Sequence, residues 1–137
     1  MPDVNELKAR VIAEIDQLRP EAESLAAEIH GYAECGWDTP RSAGALTNYL
    51  ERHGMAVERG VADLPSAFRA SIPGRMANHP AICLLAEYDA LPGLGHGCGH
   101  NLIGTVAATA GIALSKVLGE VPGNVYVMGT PFEEGGG

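Results

Sequence analysis

The sequence predicts an α/β fold built on a parallel βαβ unit, and three observations predict it. An unbroken apolar run, Ala81-Ile82-Cys83-Leu84-Leu85-Ala86, has the length of a strand and is bounded by Pro80 and by the turn-forming stretch from Asp89 to Pro92. A second apolar segment, Asn124 to Gly129, follows the turn sequence Val121-Pro122-Gly123. Between them, Leu102 to Leu118 is rich in alanine and spreads Ile103, Val106, Ala110, Ile112 and Leu114 around much of its circumference, as a largely buried helix does. Strand, helix and strand in that order form a crossover unit whose two strands lie parallel in one sheet. The continuous apolarity of 81–86 fits a central strand covered on both faces, with Cys83 as a small core residue.

The remaining elements follow in order. Val4, Leu7, Val11, Ile15 and Leu18 recur at spacings of three and four, which predicts a helix from about Asp3 to Leu18. Pro20 interrupts the pattern. Proline is tolerated in a first turn, so a second helix is expected from Pro20 to about His30, burying Leu25 and Ile29 and stopping at Gly31. Gly31 to Asp38 lacks periodicity and reads as a loop in which Cys35 and Trp37 either line or plug a pocket. Thr39-Pro40 pairs an N-cap residue with a proline at the first helical position, starting a helix that carries Leu46, Tyr49 and Leu50 and ends near Gly54. Short apolar runs follow at Met55 to Val61 and Ala67 to Ile72. Ile72-Pro73-Gly74 and Asn78-His79-Pro80 are turn signals, which makes His79 a solvated loop histidine. No internal repeat or linker is visible, and 137 residues fit one domain.

Composition narrows the function. Hydrophobic residues make up 46% and charged residues 19%, enough apolar content for a real core. A net charge of -8 with only 9 Lys and Arg excludes a nucleic-acid surface, since phosphate binding needs clustered cations. No segment approaches the length of an apolar membrane span, and the N-terminus does not read as a targeting signal. A soluble, cytoplasmic protein is expected. Cys35, Cys83 and Cys98 cannot all pair and show no C-x-x-C spacing, so reduced thiols are expected.

The chemistry concentrates in Gly93-Leu94-Gly95-His96-Gly97-Cys98-Gly99-His100-Asn101, where four glycines alternate with potential metal ligands. Thiolate and imidazole are metal donors, and glycines let the backbone turn tightly enough to bring them together. Ligands of open α/β sheets collect beyond the carboxyl ends of the strands. The first strand ends there in Glu87-Tyr88-Asp89, and the second leads to Glu133-Glu134, so a parallel arrangement brings carboxylates, thiolate and imidazole to one rim. Gly95, Gly97 and Gly99 do not satisfy G-x-G-x-x-G, and Gly99 to Gly104 lacks the lysine of a phosphate loop. A Cys98–His100 catalytic dyad is a weaker reading, because such partners normally come from separate parts of a sequence. One glutamate ligating metal while its neighbour holds water is the division of labour of metal-assisted hydrolysis.

The stretch Leu85-Ala86-Glu87-Tyr88-Asp89-Ala90-Leu91-Pro92-Gly93 through Asn101, followed by Gly129-Thr130-Pro131-Phe132-Glu133-Glu134-Gly135-Gly136-Gly137, resembles the metallopeptidases of the aminoacylase and carboxypeptidase type. It is most similar to the amidohydrolase branch that contains aminobenzoyl-glutamate hydrolase and related N-acyl-amino-acid and dipeptide hydrolases. His30 to Gly36, the Thr39 to Gly54 helix and Gly60 to Ala70 also look like that branch's amino-terminal half.

The resemblance implies a three-layer sandwich with a mixed, largely parallel central sheet, of which residues 1–137 would be the N-terminal part. It implies two divalent metal ions, zinc or manganese, with Cys98, His100 and Glu134 as ligands. Glu133 would be the general base that activates a metal-bound water to attack the amide carbonyl of an N-acyl amino acid, an aminobenzoyl-glutamate-like compound or a dipeptide. Asp89, Glu87 and His96 would support the ligands from behind. Phe132 stands where a small residue is expected beside the base, and Asn101 where much of the wider family carries Asp. The family supplies two further histidine ligands, and a lid domain that forms a homodimer, from later sequence. The expectation for the 137 residues alone is therefore low or absent hydrolysis; a non-catalytic metal- or partner-binding fragment is the alternative.

Overall fold

The computed structural model describes residues 3–72, 80–120 and 122–136. Helix α1 spans Val4–Tyr32 and α2 spans Pro40–Arg52. Strands β1 (Ala56–Arg59), β2 (Phe68–Ser71) and β3 (Ala81–Glu87) precede helix α3 (His100–Val117) and strand β4 (Asn124–Thr130). The sheet order is β1-β2-β4-β3. The βαβ unit forms as expected, with β3 and β4 adjacent and parallel and Leu84 opposite Val127. Both other pairings, β1 with β2 and β2 with β4, are antiparallel, so the sheet is mixed and its parallel part is the βαβ unit.

Helix α1 is one continuous helix where the sequence predicts two, because Pro20 lies inside it. Proline removes one main-chain bond, but Leu18 before it and Leu25 and Ile29 after it are all buried in the same core cluster. Tertiary packing along a single axis against α3 overrides the local break. The helix ends at Tyr32, two residues into the expected loop, with Ala33 in the left-handed conformation.

The core fills the space between the three helices and one face of the sheet. Ile29, Leu46, Tyr49, Leu50, Phe68, Tyr88, Ile112 and Val127 are fully buried in it. Each large side chain withdrawn from water contributes about 1.5–3 kcal/mol. Along β3 the expectation of a strand covered on both faces fails among the described residues. The strand is at the sheet edge, Ile82 is 62% and Leu85 54% exposed, and Cys83 is exposed rather than part of the core. Helices cover the face carrying Ala86 and Val127, whereas Cys83 and Leu85 point to the other face, which no described helix covers. A continuous apolar run fits a strand covered on both faces, but the described residues supply cover on one face only. Helix α3 likewise buries one side and exposes Leu102, Ile103 and Val106.

Among the described residues no helix is long and apolar enough to cross a membrane. The turn expected at Ile72-Pro73-Gly74, the loop position of His79, and Val121 of the turn before β4 lie outside the described residues, wholly or in part.

Candidate metal centre

The parallel register sets the carboxyl ends of β3 and β4 level, with Glu87 opposite Thr130. Everything beyond those two residues therefore meets at one rim. After β3, Tyr88 is locked by stacking on Phe68 at 5.9 Å between ring centroids and by donating its hydroxyl to the Ser66 carbonyl. Burial raises the pKa of this phenol, so it stays protonated. The next residue, Asp89, is 0% exposed. Ala90 then donates its N–H to the Glu34 carbonyl at 2.7 Å, tying the 33–38 loop to the rim.

The glycine-rich loop closes on itself through paired bonds between Leu91 and Gly95, at 2.9 and 3.0 Å. Gly99 has φ +85, a conformation that costs a side chain dearly, and turns the chain directly into α3. His100 is thereby the first residue of the helix. The helix also approaches the strand end closely: a Cβ on Gly104 would sit 2.6 Å from the Glu87 carbonyl oxygen. Only hydrogen at that position lets α3 lie close enough to bring His100 over Glu87.

Asp89 is the organising residue of the rim. Its Oδ1 accepts from His100 Nδ1 at 3.1 Å and from the Glu133 N–H at 3.2 Å, and its Oδ2 accepts from the Glu134 N–H at 3.2 Å. The Asp89 carbonyl also lies 2.9 Å from His100 Nδ1 and 3.7 Å from Cys98 Sγ, which donates to it. With the ring proton on Nδ1, where two Asp89 acceptors face it, Nε2 presents its lone pair to the rim. Around Nε2 stand Glu87 Oε2 at 3.1 Å, Glu133 Oε2 at 3.6 Å and Glu134 Oε1 at 3.7 Å.

Two sets of donor atoms come within 4.8 Å of one another: Cys98, His100 and Glu134, and Glu87, His100 and Glu133. The first set is the trio that the family resemblance implies. Carboxylates converging on one imidazole nitrogen are balanced by a proton on the ring or by a metal ion, and thiolate, imidazole and carboxylate are donors that suit a divalent metal. Burial is the main cause, and Glu134 an additional one, that raises the pKa of the Cys98 thiol when no cation is there.

His96 is in neither set. It is buried, neither ring nitrogen has a hydrogen-bond partner among the described residues, and its ring packs 6.0 Å from that of His30. Burial, with His30 beside it, lowers its pKa and keeps it neutral at pH 7.

Two contributions were not visible in the sequence. Glu34, not Thr39, caps α2: its carboxylate accepts from the N–H groups of Arg41 and Ser42 at 3.0 and 2.8 Å and from the Ser42 hydroxyl at 2.7 Å, while Thr39 makes no side-chain cap bond. Phe132 adopts a left-handed conformation, φ 60, immediately before Glu133. Its ring lies over Gly135, where a Cβ would meet it at 2.0 Å, and edge-on to Trp37 at 5.2 Å. Trp37 in turn lines a cavity of about 630 Å³ with Leu64, Met128 and Pro131, while Cys35 is exposed.

A mixed sheet with helices packed on it and a rim of metal-type donors at the carboxyl ends of a parallel pair defines an α/β domain with a candidate metal site. The relatives make the class specific. The chain is 38% identical over 142 residues to a mouse Xaa-Arg dipeptidase, covering 96% of this chain and 33% of that protein. It is 40% identical over 131 residues to a subunit of the p-aminobenzoyl-glutamate hydrolase of Escherichia coli K12, covering 82% and 27%. In fold it is similar to an aminobenzoyl-glutamate utilization protein from Klebsiella pneumoniae, with a TM-score of 0.73 at 21% identity over 92% of this chain and 40% of that one. No protein-family model matches. The chain is thus similar in sequence to amidohydrolases and peptidases, and it spans about a third of the length of the curated relatives it matches.

Proposed function

We propose that these residues form the metal-binding part of an amidohydrolase that cleaves an amide bond in an N-acyl amino acid, an aminobenzoyl-glutamate-like compound or a dipeptide. The observation that carries this reading is the convergence of Cys98, His100 and Glu134 within 4.8 Å, with His100 held at Nδ1 by Asp89 so that Nε2 faces the donors. The names of the two relatives, a dipeptidase and an aminobenzoyl-glutamate hydrolase, support the substrate range.

In this reading Cys98, His100 and Glu134 hold the ion; thiolate and imidazole favour zinc, and the carboxylates also suit manganese. A divalent ion held there supplies Lewis acidity to a carbonyl and acidifies water. Glu133 is the general base. Its side chain is the more open of the two glutamates, 46% against 27% exposed, while its backbone N–H is fixed on Asp89. Its carboxylate takes a proton from the attacking water and delivers it to the amide nitrogen as the C–N bond breaks, leaving a carboxylate and a free amine. A reduced Cys98 fits a cytoplasmic setting. Activity is assigned to the protein carrying the two further histidines that the family resemblance implies, and these 137 residues by themselves are expected to bind metal without turnover.

The test is amine release from p-aminobenzoyl-glutamate and from Xaa-Arg dipeptides by the full-length protein loaded with zinc or manganese. Glu133→Gln is expected to bind metal normally and to lower kcat by about 10²–10⁴-fold. Equal turnover by the variant, or by metal-free protein, overturns the reading.

A further inference from the structure

The three groups that the resemblance places behind the ligands do not address the same atoms. Asp89 binds His100 at Nδ1, the nitrogen that faces away from the donors, which is where a group that orients a ligand has to act. Glu87 instead reaches Nε2, the nitrogen whose lone pair would bind the ion, and its Oε2 is the nearest carboxylate oxygen to it at 3.1 Å. From this geometry we propose that Glu87 is itself a metal ligand, binding the same ion as His100.

Distances favour it. Metal–nitrogen and metal–oxygen bonds of about 2.0–2.2 Å put neighbouring ligand atoms about 3.3–3.6 Å apart in a tetrahedron and about 2.8–3.1 Å apart at right angles. The 3.1 Å between Glu87 Oε2 and His100 Nε2 lies within that span, and Glu134, at 3.7 Å, stands at its upper edge. Glu87, His100 and Glu133 also form a donor set of their own within 4.8 Å. Since Nε2 has one lone pair, Glu87 joins Cys98 and Glu134 on the ion that His100 binds, with Glu133 beside it as the base. The carboxylate is steered by the fold as well: Glu87 ends β3 in register with Thr130, and the close passage of Gly104 brings the start of α3 over it.

The inference rests on the metal reading above, and the experiment separates the two. Wild-type full-length protein and its Glu87→Gln and Glu87→Asp variants are stripped of metal and titrated with Co²⁺, following both the thiolate charge-transfer band and the weaker ligand-field bands. X-ray absorption then counts oxygen or nitrogen neighbours of the bound ion. Glu87→Gln is expected to weaken binding by at least about a hundredfold, at the upper limit of what loss of a merely supporting contact costs. It is also expected to shift the ligand-field bands while the thiolate band persists. Glu87→Asp, which keeps the charge on a shorter arm, is expected to fall between the two and guards against a fold defect in the amide variant. Ligand-field bands and neighbour count identical to wild type in both variants overturn the inference and leave the metal reading intact. Absence of Co²⁺ binding by wild type overturns both.

Discussion

Replacing Asp89 with Asn changes one atom of a fully buried side chain that gathers three donors. The amide keeps a single oxygen. In the better rotamer that oxygen stays on His100 Nδ1 and the Glu133 N–H, and the new NH₂ faces the Glu134 N–H, donor against donor. One bond to a charged acceptor, about 1.5–3 kcal/mol, is lost, and the remaining two fall to neutral strength. Relief of the buried charge's desolvation offsets part of this, so a net loss of about 2 kcal/mol is expected. His100 also loses the charge that orients it, and metal affinity should fall by about 10–100-fold. Urea unfolding of the metal-free chain, read at constant slope, gives the first quantity; competition with a chromophoric chelator for Zn²⁺ gives the second. An unchanged unfolding midpoint together with unchanged zinc affinity would refute the role of Asp89 as the hub of the rim.

Three further outcomes are expected. Gly104→Ala places a methyl 2.6 Å from the Glu87 carbonyl, and since neither backbone can yield cheaply it should cost about 1–3 kcal/mol in denaturant melts and weaken metal binding in parallel. Glu34→Ala leaves the first turn of α2 without its acceptor, and a loss of about 1–2 kcal/mol is expected by the same measurement. Glu21 joins α1 to α2 through Arg52 and His53 at 2.7 Å each, and the Arg52 bond is the main cause of its lowered pKa. A depressed carboxylate stabilises the fold above its unfolded pKa, and that contribution is lost as pH falls through the folded value. Because the pair is partly exposed, Glu21→Gln should cost no more than about 0.2–1 kcal/mol at pH 7, with the difference from wild type shrinking in melts taken below the ordinary carboxylate range.

The parts of this molecule that could be read in the sequence are those set by local periodicity. Ala81 to Ala86, the alanine-rich helix and Asn124 to Gly129 each carry their own pattern, and their order alone dictates the parallel pair that levels Glu87 with Thr130. The donors in the glycine-rich loop were visible for a similar reason, since residue type and spacing are themselves the signal. What stayed hidden depends on contacts between distant segments. Pro20 obeys the packing of α1 on α3 rather than its local rule. The α2 cap comes from Glu34, several residues ahead of the cap position that composition marks at Thr39. Glu87 and Asp89, two residues apart, read alike as supporting carboxylates, and only the approach of α3 at Gly104 shows that they meet opposite nitrogens of His100.

The central claim is that Cys98, His100 and Glu134 hold one divalent ion, and a cobalt titration of the full-length protein addresses it most directly. Thiolate coordination by Cys98 predicts a charge-transfer absorption that saturates with bound metal, disappears in Cys98→Ser and is displaced by Zn²⁺. A titration without that band, or a band that survives Cys98→Ser unchanged, would contradict it.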